Sequence, residues 1–422
     1  MEGSWVRALS LAAAIPMAAA SGCAPAVPTP PHSVWPAVPF DGVANLAGGC
    51  VDDFDPAADY FPDKVRFRHS EQLEVEYRGH YKVVTLRPRT DPERLLRWVL
   101  VQCGTPAPEV PRGTVIEVPV KRFAVTPVGW AGAVDALGLA DHLAALGTVQ
   151  RLTTPSLIAR VASGELVEIG RYHHTDVERL LDLEAGLVVD HFTAYADSEI
   201  EHLLAAVGAP VALDAQHLEA TPLAASEWVA WLALFFNRER VAKELLAGIE
   251  ERYQRLAVVV EGVRNRPVVV TDWFDKDAWN VFGADNAFAH QIADAGGDYF
   301  WQEDTPLNWF EVPLISAFER AAEADHWIWV PPNIRNLDDA LAQEQRLAAL
   351  PVVQRGELYS FDAGSPEPGR APFYDRMLIE PDVVLADMIR VFHPERLPEH
   401  RLVFFRRLGG APSQLEPRGG EA

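Results

Sequence analysis

The chain has 422 residues, of which 49% are hydrophobic and 23% charged, a balance typical of a globular protein rather than a disordered one. This length is enough for two domains that each have a core. The formal net charge of -23 argues against nucleic acid as a partner, because its phosphates would be repelled.

The N-terminus has the pattern of an export signal. Residues 1–7 carry one arginine, and residues 8–20 form an apolar run too short to cross a bilayer as a stop-transfer helix. The run ends in Ala-Ser-Gly-Cys at residues 20–23, which resembles the bacterial lipoprotein cleavage box. We therefore expect a signal peptide at residues 1–22 and a lipid anchor on Cys23. Cleavage elsewhere, by an ordinary secretory signal, is the alternative.

A tether and an irregular lead-in are expected at residues 23–58, beginning with the proline-rich stretch 24–32. The two other cysteines are Cys50 and Cys103, an even pair in an oxidising compartment. They are candidates for a disulfide, and a buried free thiol at Cys103 is the alternative. No later segment is long and apolar enough to span a membrane.

The N-terminal lobe is predicted at residues 59–220. It opens with four strands read as hairpin-linked and antiparallel, at residues 73–77, 81–86, 98–102 and 115–120. Strands then alternate with helices: strands at 123–126, near 149–152, at 187–189 and 211–213, and helices at 131–137, 176–183 and 199–207. This alternation predicts a parallel sheet whose ligand-binding loops follow the carboxyl ends of the strands.

Residues 221–263 form the longest helical pattern without an interior proline. Thr221 is the predicted N-cap, and Pro222 suits the first helical position. Asn237 is expected to cap a second segment, so that residues 221–236 pack on a lobe. Residues 238–263 then form a rod of about 39 Å at the usual helical rise.

The C-terminal lobe is predicted at residues 264–412, followed by a disordered tail at 413–422. Its strands are expected at 267–271, 326–330 and 357–361, and its helices at 287–295, 318–323, 338–350 and 381–392. The loop after the first of these strands, residues 272–282, is unusually aromatic. Similar Glu-Arg pairs, at 178–179 and 319–320, precede a strand at the same spacing in both lobes, which favours a duplicated architecture.

Four stretches resemble ABC-transporter substrate-binding proteins for ferric siderophores, haem and cobalamin, in the branch usually labelled iron transport. They are YKVV at residues 81–84, LVQCGTPAPE at 100–109, EATPLAASEW at 219–228 and LIEPDVVLADMIRVFHPE at 378–395. The resemblance extends from residue 59 over nearly all of the mature chain. It implies an α/β fold in which two lobes, with parallel-type sheets flanked by helices, are joined by one long rigid helix and form a largely preformed cleft.

The resemblance also implies a membrane permease and, through it, an ATPase as partners. In the family one acidic residue on each lobe meets arginines of the permease, and Glu178 and Glu319 match those positions. Each is expected at the start of the helix that precedes a strand. The alternative is that both are solvated first-turn carboxylates favoured by the helix dipole.

The expected ligand contacts lie in loops at the strand ends of both lobes. They are Trp130, Tyr172, His173, His174, Phe192 and Tyr195 in the first lobe, and Trp273, Trp279, Trp301, Tyr374 and Arg376 in the second. Aromatic faces suit a bulky, flat or partly apolar chelate, and Arg376 suits an anionic one. Because adjacent side chains on an extended backbone point opposite ways, at most one of His173 and His174 faces the cleft.

We expect no protein-ligated metal, no cofactor and no enzymatic activity, since no catalytic motif is present. The predicted protein is a monomeric, lipid-anchored receptor that captures an iron chelate outside the cytoplasmic membrane and delivers it to the permease. Cobalamin or haem is the chief alternative ligand, followed by a bare oxyanion or metal ion. A metal-dependent enzyme or a non-transporting surface lipoprotein is the alternative of a different class, and a convergent metal site with an open coordination position would favour the enzyme.

Overall fold

The computed structural model describes residues 35–109, 112–170, 174–192, 210–275, 277–301, 309–365 and 370–409. The strands are β1 Ala37–Val38, β2 Cys50–Val51, β3 Leu73–Arg78, β4 Tyr81–Leu86, β5 Leu96–Gln102, β6 Thr114–Val118, β7 Phe123–Val125, β8 Leu143–Leu146, β9 Val167–Glu168, β10 Leu187–His191, β11 Val211–Asp214, β12 Val268–Thr271, β13 Phe274–Asp275, β14 Ala278–Phe282, β15 Asp298–Tyr299, β16 Trp309–Pro313, β17 His326–Val330, β18 Leu358–Ser360 and β19 Arg406–Arg407. The α-helices are α1 Ala131–Ala136, α2 Pro155–Ser163, α3 Val177–Asp182, α4 Pro222–Leu234, α5 Glu239–Val259, α6 Ala287–Asp294, α7 Leu314–Ala321, α8 Leu337–Gln343, α9 Pro351–Gln354, α10 Pro372–Arg376 and α11 Pro381–Phe392.

The N-terminal lobe contains the predicted parallel sheet, with strand order β11-β10-β7-β8-β9. The strand predicted near residues 149–152 was misplaced, since those residues form a turn and the strand is β8. β8 has the sequence LAAL, and alanine has a weak preference for strands, so the pattern gave little signal. The helix predicted at 199–207 lies outside the described residues.

The C-terminal lobe has a second mostly parallel sheet, with order β15-β12-β17-β18-β19, in which only β19 runs antiparallel. The aromatic segment predicted as a loop is instead part of a three-stranded antiparallel sheet, β13-β14-β16. In β14 buried Trp279 and Val281 alternate with partly exposed neighbours, which is the period of a strand.

A four-stranded sheet, β3-β4-β5-β6, precedes the N-terminal parallel sheet. β3, β4 and β5 are antiparallel as predicted, but β6 pairs parallel to β5, so the hairpin predicted between them is wrong. The sheet packs against α4, where Trp98 meets Trp231 and Phe235 at ring-centroid distances of 5.8 and 6.4 Å. α4 is buried on nearly every side rather than on one face, because it lies inside the core of this lobe.

The long helical stretch is divided at Asn237, as the sequence predicts. Thr221 caps α4 by accepting a hydrogen bond from the Ala224 N–H at 3.2 Å. Asn237 has a positive φ of 54°, so the chain leaves α4 there and restarts as α5. Asn237 is not the cap of α5, because its side chain accepts from buried Lys82 at 2.8 Å instead.

α5 connects the two lobes. Its first half packs into the N-terminal core through Ala242, and its second half packs into the C-terminal core through Tyr253. The helix has 21 residues, so it spans about 31 Å, shorter than predicted. Within the described part of the chain, no helix combines the length and apolarity needed to cross a membrane.

A disulfide joins Cys50 to Cys103, with Cα atoms 4.8 Å apart. It connects β2, in the irregular lead-in, to the end of β5. A backbone hydrogen bond from Val51 N–H to the Cys103 carbonyl, at 2.9 Å, lies beside it. The lead-in is therefore fixed covalently to the four-stranded sheet.

Candidate functional site

The two lobes meet at the carboxyl edge of the N-terminal parallel sheet. On one side α10 packs on α1 so closely that a Cβ on Gly132 would lie 2.2 Å from the Asp375 carbonyl oxygen. On the other side the Ala287 N–H donates to the Glu219 carbonyl at 3.2 Å. Gly132 follows β7 and Glu219 follows β11, and β10 lies between those strands. The end of β10 is therefore placed between the two contacts.

Asp375, on α10, connects the lobes through four hydrogen bonds. Its Oδ2 accepts from the backbone N–H groups of Thr153 and Thr154 at 2.6 and 2.8 Å, and from their hydroxyls at 2.9 and 3.1 Å. Thr154 is the N-cap of α2, so a carboxylate of one lobe lies at a helix N-terminus of the other, where negative charge is favoured. Burial nevertheless raises the pKa of Asp375, although these hydrogen bonds oppose it.

His191, Asp214 and His217 form a cluster at the ends of β10 and β11. Their candidate ligand atoms all lie within 4.8 Å of one another. His191 Nδ1 is 3.2 Å from Asp214 Oδ1, and the two imidazole centroids are 4.8 Å apart. Trp130 Nε1 donates to the other carboxylate oxygen of Asp214 at 2.9 Å. The carboxylate is thus fixed from one side and faces two imidazoles on the other.

The protonation of this cluster follows from its burial and charges. Burial opposes ionisation of Asp214, but the adjacent histidines and the Trp130 hydrogen bond hold its pKa below the usual value. Burial lowers the pKa of His191, yet the Asp214 carboxylate outweighs it and the net shift is upward. Burial, with repulsion from His191, lowers the pKa of His217 to about 3, so His217 is neutral at neutral pH.

Asp190 extends the polar edge toward β7. It is buried, and its carboxylate accepts a hydrogen bond from the Thr126 hydroxyl at the end of β7. Burial raises the pKa of Asp190, while the bond from Thr126 opposes the shift. The ends of three neighbouring strands therefore carry carboxyl, hydroxyl and imidazole groups.

The facing edge of the C-terminal sheet contains two residues in a strained backbone conformation. Asp272 follows β12 with φ of 63°, and Trp329 lies near the end of the adjacent β17 with φ of 58°. Burial raises the pKa of Asp272 to about 7, although a 3.2 Å hydrogen bond from the Thr271 hydroxyl opposes it. The Trp329 Nε1 is buried and has no hydrogen-bond partner. Left-handed residues other than glycine concentrate at functional sites.

Four of the predicted ligand contacts are core residues. Trp130 and Phe192 are each 1% exposed, Trp301 is 6% and Trp279 is 0%. Trp279 donates from Nε1 to the Thr271 carbonyl at 3.0 Å and stacks on Trp327. These rings support the lobes from within and do not form an open surface, because strand and helix packing buries the aromatic runs that the sequence assigned to loops.

The remaining predicted contacts differ in their surroundings. Tyr374 lies at the junction of the lobes, where the Arg151 guanidinium is 5.1 Å from its ring centroid. Trp273 is half-buried and donates to Gln343 Oε1 at 2.9 Å, and Arg376 pairs with Glu380 in its own lobe. His174 is exposed. Cys23, Tyr172, His173 and Tyr195 lie outside the described residues.

Both predicted docking carboxylates are exposed on the surface. Glu178 lies in the first turn of α3, after the N-cap Asp176, as predicted. Glu319 lies in the last turn of α7 and not at the helix start, because that helix begins four residues earlier than the sequence pattern indicated. The helix dipole disfavours a negative charge in a last turn, so it does not explain Glu319.

Two α/β lobes, a connecting helix and polar strand ends facing a junction define the class of bilobed solute-binding proteins. Residues 129–364 match the family model described as periplasmic binding protein. The match spans more than half of the chain, so the chain belongs to the periplasmic binding protein family. The family consists of solute-binding proteins, which agrees with the prediction that the chain is not an enzyme. The four-stranded sheet β3–β6 lies outside the match, which is shorter than the resemblance indicated.

The chain is similar to two uncharacterized lipoproteins of Methanocaldococcus jannaschii. The first is 22% identical over 248 residues, covering 58% of this chain and 57% of that protein, so the chain spans little more than half the length of this relative. The second is 25% identical over 313 residues, covering 71% of this chain and 76% of that protein.

Among solved structures, the molybdate periplasmic binding protein MolA of Haemophilus influenzae has a TM-score of 0.55 and is 13% identical. It covers 75% of this chain, and 94% of MolA is matched. At this identity the likeness establishes the fold alone.

Proposed function

We propose that this chain is the extracytoplasmic, lipid-anchored substrate-binding component of an ABC importer, and that its ligand is an iron chelate such as a ferric siderophore. One observation carries the proposal. The polar carboxyl ends of the strands in the two lobes face each other across a junction that α5 bridges. In α/β proteins, ligands bind at such carboxyl edges. The choice of an iron chelate rests on the resemblance of residues 81–84, 100–109, 219–228 and 378–395 to the iron-transport branch.

The permease-docking role of Glu178 and Glu319 is supported by their exposure and position. They lie on different lobes, which α5 connects as a rigid spacer. Exposed carboxylates at a fixed separation can orient the protein on a basic partner and speed the encounter. Glu319 also lies in the last turn of its helix, where the helix dipole disfavours a negative charge. The alternative of a first-turn carboxylate favoured by the dipole therefore does not explain this residue.

The anchor is proposed on Cys23, from its place after the apolar N-terminal run. The two methanogen relatives are named lipoproteins, which supports this assignment. Replacement of Cys23 by Ser should abolish labelling with a radioactive fatty acid. Persistent labelling would contradict the anchor.

The ligand is tested by tryptophan fluorescence and native mass spectrometry of the purified chain with ferric hydroxamates, ferric catecholates, haem and cobalamin. A ferric chelate should form a one-to-one complex and quench fluorescence, since Trp273 and Trp329 lie near the carboxyl ends of β12 and β17. Binding of haem or cobalamin alone would favour the alternative ligands and refute the iron-siderophore assignment.

The docking assignment is tested by uptake in cells. Reversing both charges, Glu178→Arg with Glu319→Arg, should abolish uptake while ligand affinity is unchanged. A matched control reverses Asp182 and Glu323, exposed acids one turn further along, and should leave uptake intact. Equal uptake by both double variants would refute the specific docking role.

A further inference from the structure

The cluster of His191, Asp214 and His217 has the composition of a metal site. Two imidazoles and one carboxylate are a ligand set that suits iron, cobalt, nickel and zinc. No local pattern predicts this cluster, because the three residues come from two strands and a 3-10 turn, with residues 192–213 between the first and second. Among the described residues, the other such group contains Cys50 and Cys103, whose sulfurs are joined in a disulfide.

The distances are compatible with a shared ion. In a tetrahedral site with bonds near 2.1 Å, ligand atoms lie about 3.4 Å apart. His191 Nδ1 and Asp214 Oδ1 are already 3.2 Å apart, and all candidate ligand atoms lie within 4.8 Å. The nitrogen of His217 lies within the same 4.8 Å, so all three groups are close enough to share one ion after small side-chain adjustments.

A second observation points to a missing partner. His217 Nδ1 is buried and makes no hydrogen bond. A buried polar atom without a partner costs free energy, so the site retains a nitrogen that the protein itself does not satisfy. His191 is 24% exposed while Asp214 is fully buried, which leaves the imidazole side open to an incoming ion.

The Asp214 carboxylate is also held by a hydrogen bond from a neighbouring side chain, as the ligands in metal sites commonly are. Trp130 Nε1 donates to Asp214 Oδ2 at 2.9 Å, which fixes the orientation of the carboxylate and leaves Oδ1 directed at the imidazoles. Such outer contacts orient ligands in metal sites. Trp130, which the sequence placed among the ligand contacts, is thus a positioning residue beneath the site.

We propose that His191, Asp214 and His217 bind a transition-metal ion directly and leave a coordination position open for an atom of the captured chelate. This inference rests on the proposed function in taking the ion to be part of the imported ligand. Three protein ligands with an open position also occur in metal enzymes. Because the chain belongs to a solute-binding family, the open position here serves capture.

The test is a Co²⁺ titration of the purified full-length chain after treatment with a chelator, followed by visible absorption. The wild type should bind one equivalent with d–d bands typical of nitrogen and oxygen ligands. His217→Gln should weaken binding more than about 100-fold, since loss of an outer contact alone costs 10–100-fold. His290→Gln, a change at a surface histidine of α6, is the matched control and should bind as the wild type does.

Trp130→Phe keeps an aromatic ring in the core but removes the hydrogen bond to Asp214, and should weaken Co²⁺ binding about 10- to 100-fold. If His217→Gln does not fold, as judged by thermal melting, His191→Gln takes its place. Absence of Co²⁺ binding in the wild type, or equal binding in the wild type and the histidine variant, would overturn the inference. If the metal site fails this test but ferric chelates still bind, the proposed function is not contradicted. Co²⁺ binding without any chelate binding would refute the proposed function and not the metal site.

Discussion

One carboxylate, Asp375, makes four hydrogen bonds across the junction of the lobes, and this gives a quantitative prediction. Asp375→Ala removes the acceptor of four hydrogen bonds to Thr153 and Thr154. The two hydroxyls can reorient, but the two backbone N–H groups are fixed in direction and lose their partner. Each unsatisfied buried donor costs about 1–3 kcal/mol.

The net cost should lie near the lower end of the sum. Thr153 is half-buried, so water can reach its N–H. The substitution also removes the cost of burying the Asp375 carboxylate, a cost that the raised pKa of this group reflects. We expect the junction to be weakened by about 2 kcal/mol. By the factor of ten per 1.4 kcal/mol, this corresponds to about 30-fold faster amide exchange at Thr153 and Thr154.

Hydrogen exchange with mass spectrometry of peptides covering residues 150–160 measures this effect. Asp375→Asn keeps an acceptor oxygen at the same place, so its exchange should fall between wild type and Asp375→Ala. Asp362→Ala, which breaks an ion pair with Arg406 inside the C-terminal lobe, should leave these peptides unchanged. Unchanged exchange in Asp375→Ala would refute the reasoning that this carboxylate holds the lobes together.

Two further predictions concern buried charges. Lys82→Met leaves Glu239 buried without its partner and should lower the free energy of unfolding by about 3–5 kcal/mol, measured by urea denaturation. Lys64→Met, at an exposed pair, should change it by less than about 1 kcal/mol, and equal effects would contradict the account. The pKa of Asp272 is about 7 in the folded protein, above the ordinary value of 3.8 expected in the unfolded chain. The free energy of unfolding therefore falls as the pH rises from 3.8 to about 7, because the folded state must then bury an ionised carboxylate. Asp272→Asn should therefore raise Tm relative to the wild type more at pH 8 than at pH 4, and a difference independent of pH would contradict the assignment.

Local sequence signals predicted the framework well. Thr221 was correctly predicted as a helix cap and Asn237 as the point where the helical stretch divides, because caps and chain breaks depend on neighbouring residues. The family and the bilobed fold followed from several stretches in one order. Glu319 was assigned to the correct helix but to its wrong end, since helix boundaries depend on packing that a periodic pattern does not contain.

The candidate site was mostly not predictable. His191 and Asp214 meet only because β10 and β11 pair in register, and that register is a property of the folded sheet. Trp279 looked like a ligand contact because its neighbours are aromatic, yet alternation along β14 turns it into the core. Trp329 and Asp272 gave no signal, because nothing local to the sequence requires a positive φ there.

The central claim is that ligand binds between the facing edges of the two lobes. A crystal structure of the chain grown with the ferric chelate that binds in solution, with diffraction data at the iron absorption edge, tests it most directly. We expect one anomalous peak between the lobes, at the ends of β10 and β11 beside His191, Asp214 and His217. A peak elsewhere on the surface, or a bound chelate away from both sheet edges, would contradict the account.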